Sequence, residues 1–553
     1  MSEEGPGRDH DPDRQPDSAP NSAADRDSDP EQSDVDAAPR DHRGEASNRT
    51  DGGSDQTDGG SDRTNGESES TVVDRVKAAL GGNSVYALTN GVTILLLTRE
   101  LLSPSEFGSL YFAISVLGSI SSFAVLGLPK SAARYVNEYS ETDPTQIRHI
   151  LKRSTLVAGT LLAVVGAALT LAHEPLARLL DEPTVAPFLA LGATYVVTRA
   201  LHSYVRALLQ GFNRIKWSTG VNALAGVSRL VFVVVFVVAG LGAVGALLGY
   251  AAGFALSVVV GGVLLYRYHY DPSDAAGRME SGLTERIIRY SLPLTLTKGA
   301  GVLDKRVDII LVGYFLNPVA VSYYVVAKQI AAVTGMPAGS FGYTVSPAYG
   351  KRKASGDADR AARLYEQAMR YTLLFYVPAS VGLILVSGPA VRLIFGSDYA
   401  GAVPVVQVMS GFVLVNAVNK ISSDGLDYLG RARERATMKT GTAVGNFLLN
   451  LALIPTIGVV GAAVATVVTY AAYTLGNVYY IHAELDISTL GIVKDGVVVT
   501  LVAIGMGMAV VVAVPYISDL ATLAAVVLLG LVVWAGLSLL SGLVNREQLS
   551  ALL

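Results

Sequence analysis

The sequence predicts an all-α integral membrane protein of about fourteen transmembrane helices, preceded by an acidic tail that does not fold. Three observations carry this expectation. Half of the 553 residues are hydrophobic and only 16% are charged. After about residue 80, apolar runs of roughly 18–25 residues follow one another to the C-terminus, each long enough to cross a bilayer core as a helix. Basic residues, finally, gather in every second connection, the pattern of a chain threaded back and forth through a membrane.

The tail comes first. Residues 1–70 hold 20 Asp and Glu against 7 Arg and no Lys, with almost no large apolar side chain. Such a segment cannot bury enough surface to offset its conformational entropy, so residues 1–74 are expected to be disordered. It has neither the basic start nor the apolar stretch of a signal peptide. The remainder carries 36 Lys and Arg against 27 Asp and Glu. An acidic, lysine-poor tail on a chain rich in Ala, Val and Gly suits a salt-loving prokaryote.

The expected spans lie near 82–102, 107–127, 154–172, 186–208, 217–238, 243–265, 291–316, 320–345, 369–388, 401–421, 438–455, 459–481, 496–515 and 519–541. Loops after the even-numbered spans carry the cations: Lys130, Arg134, Arg148, Lys152 and Arg153 after the second, Lys351, Arg352 and Lys353 after the eighth, Arg431, Arg433 and Arg435 after the tenth. The alternate loops offer Arg178 and Arg392. The bias places both termini in the cytoplasm.

An internal repeat is visible in the turns. Leu102-Ser103-Pro104 resembles Leu316-Asn317-Pro318, the stretch from Gly211 to Arg214 resembles that from Gly430 to Arg433, and Gly242–Gly245 resembles Gly458–Gly461. In the same order within two six-span blocks, these predict two pseudo-symmetric six-helix lobes, 75–270 and 271–484. Both blocks begin on the same side, so the axis relating them runs along the membrane normal. Residues 485–553 add two further helices with no charge inside the apolar runs.

Charge within apolar sequence concentrates at 291–328. Lys298, Asp304, Lys305, Arg306 and Asp308 fall on the seventh span and Lys328 on the eighth. Each charged residue near the bilayer centre costs ~2.5–3.5 kcal/mol on insertion scales. At ~1.5 Å per residue, Lys305 comes near mid-depth, and Asp308 and Lys328 sit level across the Asn317-Pro318 turn. The first block adds Arg199 and Arg229 midway along their spans, with His202 and Arg206 nearer the basic end. Two arrangements satisfy these groups: pairing among themselves, or lining a watery cavity. A converged set would hold more positive than negative charge and suit a phosphate-bearing anion. Lys298, Lys305, Arg306, Arg199 and Arg229 are the candidate phosphate contacts, and Asp304, Asp308 and Lys328 the candidate gating or ion-coupling groups.

Several function classes are disfavoured. There is no cysteine, and the seven histidines lack metal-ligand spacing, so no metal site or cofactor is expected. No Walker or dinucleotide fingerprint stands in a strand-loop-helix context. No nucleic-acid partner is indicated. The loops opposite the basic ones are short and lack paired carboxylates, which disfavours a membrane glycosyltransferase or polymerase; the chain is not expected to be an enzyme.

Five stretches in order carry a family resemblance: Arg99 to Gly108 followed by Tyr111; Gly127-Leu128 followed by Ala132-Ala133-Arg134-Tyr135; Leu209-Gln210-Gly211 through Arg214; Asp308 through Gly313 with Tyr324 downstream; and Ile394-Phe395-Gly396 through Tyr399. Over about residues 80–485 the chain resembles the polysaccharide-biosynthesis flippases of the multidrug/oligosaccharidyl-lipid/polysaccharide superfamily. One departure stands at Glu100, where the family often has an arginine. The resemblance implies two six-helix lobes around a central cavity and translocation of a polyprenyl-linked oligosaccharide from the cytoplasmic to the outer leaflet. In an archaeon it implies dolichol phosphate or pyrophosphate as carrier and membrane lipids as surroundings. It further implies a functional link to glycosyltransferases and an oligosaccharyltransferase, and a product used for N-glycosylation of the surface layer. The alternative is an ion-coupled multidrug or small-solute exporter of the same superfamily, although the first six spans contain no buried acid.

Overall fold

The computed structural model describes residues 83–180, 183–269 and 278–543, without the side chains at 183, 269, 296–298, 300 and 303–304. The acidic segment 1–74 and the side chains of Lys298 and Asp304 therefore lie outside the described residues. Everything described is helical or a connection between helices, with no strand. Ten helical stretches among these residues are long and apolar enough to cross a membrane, one of which (Ile215–Tyr268) contains two helices. The protein is a multi-pass membrane protein.

The helices form where the apolar runs predicted them. The first half holds α1 (83–101, its last turn Leu97–Leu101 widened to π), α2 (Pro104–Ala124), α3 (Leu128–Thr142), α4 (Ile147–Leu179), the short α5 (Ala186–Ala190), α6 (Gly192–Gly211), α7 (Ile215–Phe236) and α8 (Gly242–His269). The second holds α9 (Leu283–Phe315), α10 (Pro318–Ala354), α11 (Ala358–Phe395), α12 (Val403–Tyr428), α13 (Ala432–Ile457) and α14 (Val459–Leu485), followed by α15 (Thr489–Ala513) and α16 (Leu520–Leu540).

One element departs from the expectation. The connection bearing Lys130 and Arg134 is itself a helix, α3. Leu128, Ala132, Tyr135, Val136 and Tyr139 are buried along one face, against α6 and α9, while Lys130 is exposed. Its alternation of apolar and polar residues follows a helical period but is too short and too polar to register as a span.

The repeated turns have a common physical basis. At Ser103-Pro104 the serine caps α2 reciprocally with Glu106, and at Asn317-Pro318 the asparagine side chain accepts the Ala320 N–H at 2.9 Å. Both prolines occupy the first helical position, where a missing N–H costs nothing. The ends of α6 and α12 also match: the Arg214 N–H bonds back to the Leu209 carbonyl at 2.8 Å, and the Arg431 N–H to Leu426 at 2.9 Å. Each closure needs one residue at positive φ, Asn213 at 58° and Gly430 at 81°. The structural equivalence thus pairs Asn213 with Gly430, two positions from the Gly211–Gly430 match read in the sequence.

The two halves meet along α2, which packs on both α9 and α10. At Gly108 an added Cβ would lie 1.7 Å from the Pro318 carbonyl oxygen, so only glycine allows this crossing. We call this end of the bundle, with Ser103-Pro104 and Asn317-Pro318, the turn end, and the opposite one the basic end. Helix α11 carries α15 and α16. Pro378 deprives the Leu374 carbonyl of its helical donor, and the buried Trp534 indole N–H supplies one at 3.1 Å.

Candidate functional site

Asp308 is the pivot of the second half. Ten residues of α9 separate Lys305 from Phe315 at the turn end, about 15 Å along the helix axis at ~1.5 Å per residue. The Asp308 side chain is 4% exposed and receives the Lys328 ammonium from α10 at 2.7 Å and the Tyr324 hydroxyl at 2.7 Å, both on Oδ2. Tyr324 in turn contacts Thr466 of α14 at 3.1 Å. Lys328 also donates to the Lys305 carbonyl at 3.1 Å and keeps 30% of its side chain exposed. The buried carboxylate thus has a full set of partners, which a buried charge requires.

Beside this pair opens a cavity of ≈ 470 Å³, within the ~300–1,000 Å³ common for ligand sites. Its wall is built by α9, α10, α12, α13 and α14. Lys305, Lys328, Lys420 and Lys439 bring cations to it, and Asp308 is its one acidic residue among the described residues. Phe412 and Tyr470 supply aromatic faces 4.8 Å apart between centroids, and Asn416, Asn446 and Thr442 supply amides and a hydroxyl. The Lys439 ammonium lies over the rings of Tyr470 and Tyr473, at 4.4 and 4.9 Å.

A second cavity of ≈ 620 Å³ lies against the first-half helices and is lined by Arg199, Arg206, His202, Lys130, Arg306 and, again, Lys305. Lys305 is therefore common to both. No acidic residue lines this second space among the described residues. Arg306 reaches from α9 to donate to the Ile114 carbonyl of α2 at 2.9 Å. It fits because residue 118 is glycine: a Cβ there would stand 1.9 Å from the guanidinium. Arg199 donates to Tyr195 at 3.0 Å and lies 5.8 Å from the rings of Tyr195 and Phe254. His202 shares a 2.8 Å hydrogen bond with Ser257. In a low-dielectric surrounding these guanidinium forks suit the planar, bidentate capture of phosphate oxygens.

The structure brings Lys305, Arg306 and Arg199 to one cavity and Lys305, Asp308 and Lys328 to the other. Arg229 takes a different place. Only 2% exposed, it lies between the rings of Tyr86 and Tyr250, at 4.8 and 5.0 Å, and donates to the Tyr86 hydroxyl at 3.1 Å. It does not line either cavity; Tyr86, its hydrogen-bond partner, does. Arg99, at the turn end, donates to the Leu393 carbonyl at 2.6 Å, one of the acceptors left open where α11 ends. It caps a second-half helix from the first half, and Glu100 lies 3.9 Å from it.

Sequence reasoning missed Lys420 and took Lys439 for a loop residue. Both stand at span ends, where a cation reads as an interfacial anchor. The available signal was the helical register: Asn416 and Lys420 are four apart, as are Asn446 and Thr442, so each pair shares a face.

Comparison with known proteins agrees with this architecture. Residues 77–350 match the family described as polysaccharide biosynthesis protein, and residues 302–456 match the MatE family. The probable low-salt glycan biosynthesis flippase Agl15 of Haloferax volcanii is 24% identical over 201 residues, 36% of this chain and 43% of that protein. The probable flippase AglR of the same organism is 26% identical over 179 residues, 32% of this chain and 37% of its own length. The chain thus aligns with less than half the length of these two relatives. In fold, the lipid II flippase MurJ in an inward closed conformation superposes with a TM-score of 0.66 at 16% identity, covering 85% of this chain and 98% of MurJ. Residues 77–350 thus match the polysaccharide-biosynthesis family and residues 302–456 the MatE family, on a helical fold similar to that of MurJ.

Proposed function

We propose that the protein is a flippase that moves a polyprenyl-linked oligosaccharide, carried on dolichol phosphate or diphosphate, from the cytoplasmic to the outer leaflet of the cell membrane. The observation that carries this reading is the pair of cavities that share Lys305, rich in Arg and Lys and with one described acid already paired to Lys328. A phosphate-bearing head is the cargo such a lining accepts; an organic cation would be repelled by it. The likeness to the glycan biosynthesis flippase Agl15 and the lipid II flippase MurJ supports the same cargo class.

In this reading the basic loops face the cytoplasm, and both termini with them. The blocks 75–270 and 271–484 act as the two moving lobes, with the Gly108–Pro318 crossing and the Arg99 cap closing the turn end while the cavities admit substrate. Arg199, Lys305 and Arg306 hold the phosphate, with Lys298 on the same helix; Arg229 orients Tyr86 beneath them. Asp308 and Lys328, with Asp304 nearby in sequence, form the gating group. No bond of the substrate is made or broken. Glycosyltransferases supply the cargo and an oligosaccharyltransferase consumes it, for N-glycosylation of a surface-layer protein in a salt-loving archaeon.

Deletion of the gene tests the reading. The expected result is accumulation of complete, cytoplasm-facing lipid-linked oligosaccharide together with loss of protein-linked glycan. Unchanged lipid and protein glycans would overturn it.

A further inference from the structure

The cations on the wall of the second-half cavity are already matched. Lys328 is bonded to Asp308, and the Lys439 ammonium rests on the Tyr470 and Tyr473 rings. Asp424, one turn beyond Lys420 on α12, acts on that lysine through space. Lys305 stands on the wall of the arginine cavity as well. Beyond these, the second-half wall presents uncharged groups, and among them Asn416 has unspent capacity. Its amide makes no hydrogen bond with any described residue, so two N–H donors and two carbonyl lone pairs remain.

Asn416 reaches over a part of α10 that is nearly bare of side chains. Its Nδ2 lies 3.4 Å from where a Cβ at Gly335 would stand, and a Cβ at Gly339, one turn on, would meet nothing within 4 Å. Phe412 stands one turn before Asn416 on the same face of α12, with its Cβ about 5–6 Å away at that spacing. Its ring is set at 70° to that of Tyr470, 4.8 Å between centroids. Across the cavity, Thr469 and Asn450 fix the Asn446 amide at 3.1 and 3.0 Å and leave it one N–H. An aromatic ring one helical turn from an amide, beside a flat floor, matches a pyranose, which has C–H groups on its faces and hydroxyls at its rim. Each hydroxyl is both donor and acceptor, so one amide can give to a hydroxyl and take from its neighbour.

Resting on the flippase reading, we infer that the second-half cavity holds the sugar next to the diphosphate and that Asn416 selects it. The Phe412 ring underlies one apolar face of a pyranose, and the Asn416 amide bonds two neighbouring hydroxyls, donating to one and accepting from the other. Lys305, on the wall of both cavities, stands between this sugar and the phosphate held by Arg199 and Arg306. A sugar lacking that hydroxyl pair leaves the enclosed amide without partners, which is how a polar site discriminates more sharply than an apolar one.

The test uses the full-length protein in nanodiscs and two probes of equal charge, a polyprenyl diphosphate carrying glucose and one capped with a methyl group. Wild type is expected to bind the glucose probe about tenfold tighter or more, as one or two neutral hydrogen bonds contribute. Asn416→Ala and, independently, Phe412→Leu bring that ratio close to one and leave affinity for the capped probe unchanged. Arg306→Gln weakens both probes and keeps the ratio. Single-deoxy versions of the glucose probe lose affinity at two adjacent positions in wild type and at neither in Asn416→Ala. A wild-type ratio near one, a ratio unmoved by Asn416→Ala, or deoxy losses that do not fall on neighbouring positions overturn the inference and leave the flippase reading intact. Failure of wild type to bind either probe overturns the flippase reading itself, and the inference with it.

Discussion

Replacing Asp308 with asparagine removes a carboxylate that is 4% exposed and bonded to Lys328 and Tyr324 at 2.7 Å each. Taking one partner from a buried pair costs about 3–5 kcal/mol when the survivor stays dry. Two features of the site reduce that. Lys328 is 30% exposed toward the cavity and can be hydrated, and the asparagine carbonyl still accepts from Tyr324. The expected loss is therefore about 2–3 kcal/mol, below the fully dry case. Equilibrium unfolding in mixed micelles measures it, and a cycle with Lys328→Met isolates the pair. Removing the orphaned ammonium should recover part of the loss, so that the double variant is more stable than the sum of the singles by about 1–3 kcal/mol. A coupling near zero would mean that the contact contributes nothing, and the account of how the buried Asp308 is held would be wrong.

Other substitutions probe the surroundings. Gly118→Ala places a methyl 1.9 Å from the Arg306 guanidinium, which must swing off the Ile114 carbonyl; transport should fall toward that of Arg306→Gln with little loss of stability, and a fully active Gly118→Ala beside an inactive Arg306→Gln would contradict this. Trp534→Phe leaves the Leu374 carbonyl without a donor, because Pro378 offers none, at a cost of about 1–3 kcal/mol in thermal or denaturant unfolding. The same change in a Pro378→Ala background, where the backbone amide returns, should cost less. At the basic end, the Tyr139 hydroxyl and then Arg286, at 2.7 Å, hold the Glu280 carboxyl below its ordinary range. Its contribution is present above the ordinary carboxylate pKa, about 4.3, and is lost as pH falls through the depressed value. Protection of the amides at the start of α9, taken relative to their intrinsic exchange at each pH, should therefore fall on acidification below about pH 4, and Glu280→Gln should already show low protection at neutral pH.

Much of this was legible before the structure. Apolar length located the helices, and the proline turns at Ser103 and Asn317 announced the repeat because capping chemistry is local. The level placement of Asp308 and Lys328 followed from counting residues out from one turn. What escaped had tertiary causes. Arg229 lacks an acidic neighbour in its own helix, which suggested a cavity; its partners are the rings of Tyr86 and Tyr250, from two other helices. Lys420 escaped notice and Lys439 was counted with the basic loop before it, because only the packing of α12 and α13 against α10 and α14 brings both to one cavity wall. The amphipathic α3 was read as a loop because its apolar face spans too few residues to stand out from a polar background. The close approach at Gly108 depends on a carbonyl more than two hundred residues away.

The most direct measurement of the central claim is transport by the purified protein in proteoliposomes. A fluorescent polyprenyl diphosphate-linked oligosaccharide is placed in both leaflets, and a membrane-impermeant reagent reports how much becomes accessible from outside. The account predicts that wild type renders nearly all of the lipid accessible, and that Arg199→Gln and Arg306→Gln, folded and inserted, stay near the half that protein-free vesicles show. Equal scrambling by wild type and both arginine variants, or none by wild type, would contradict it.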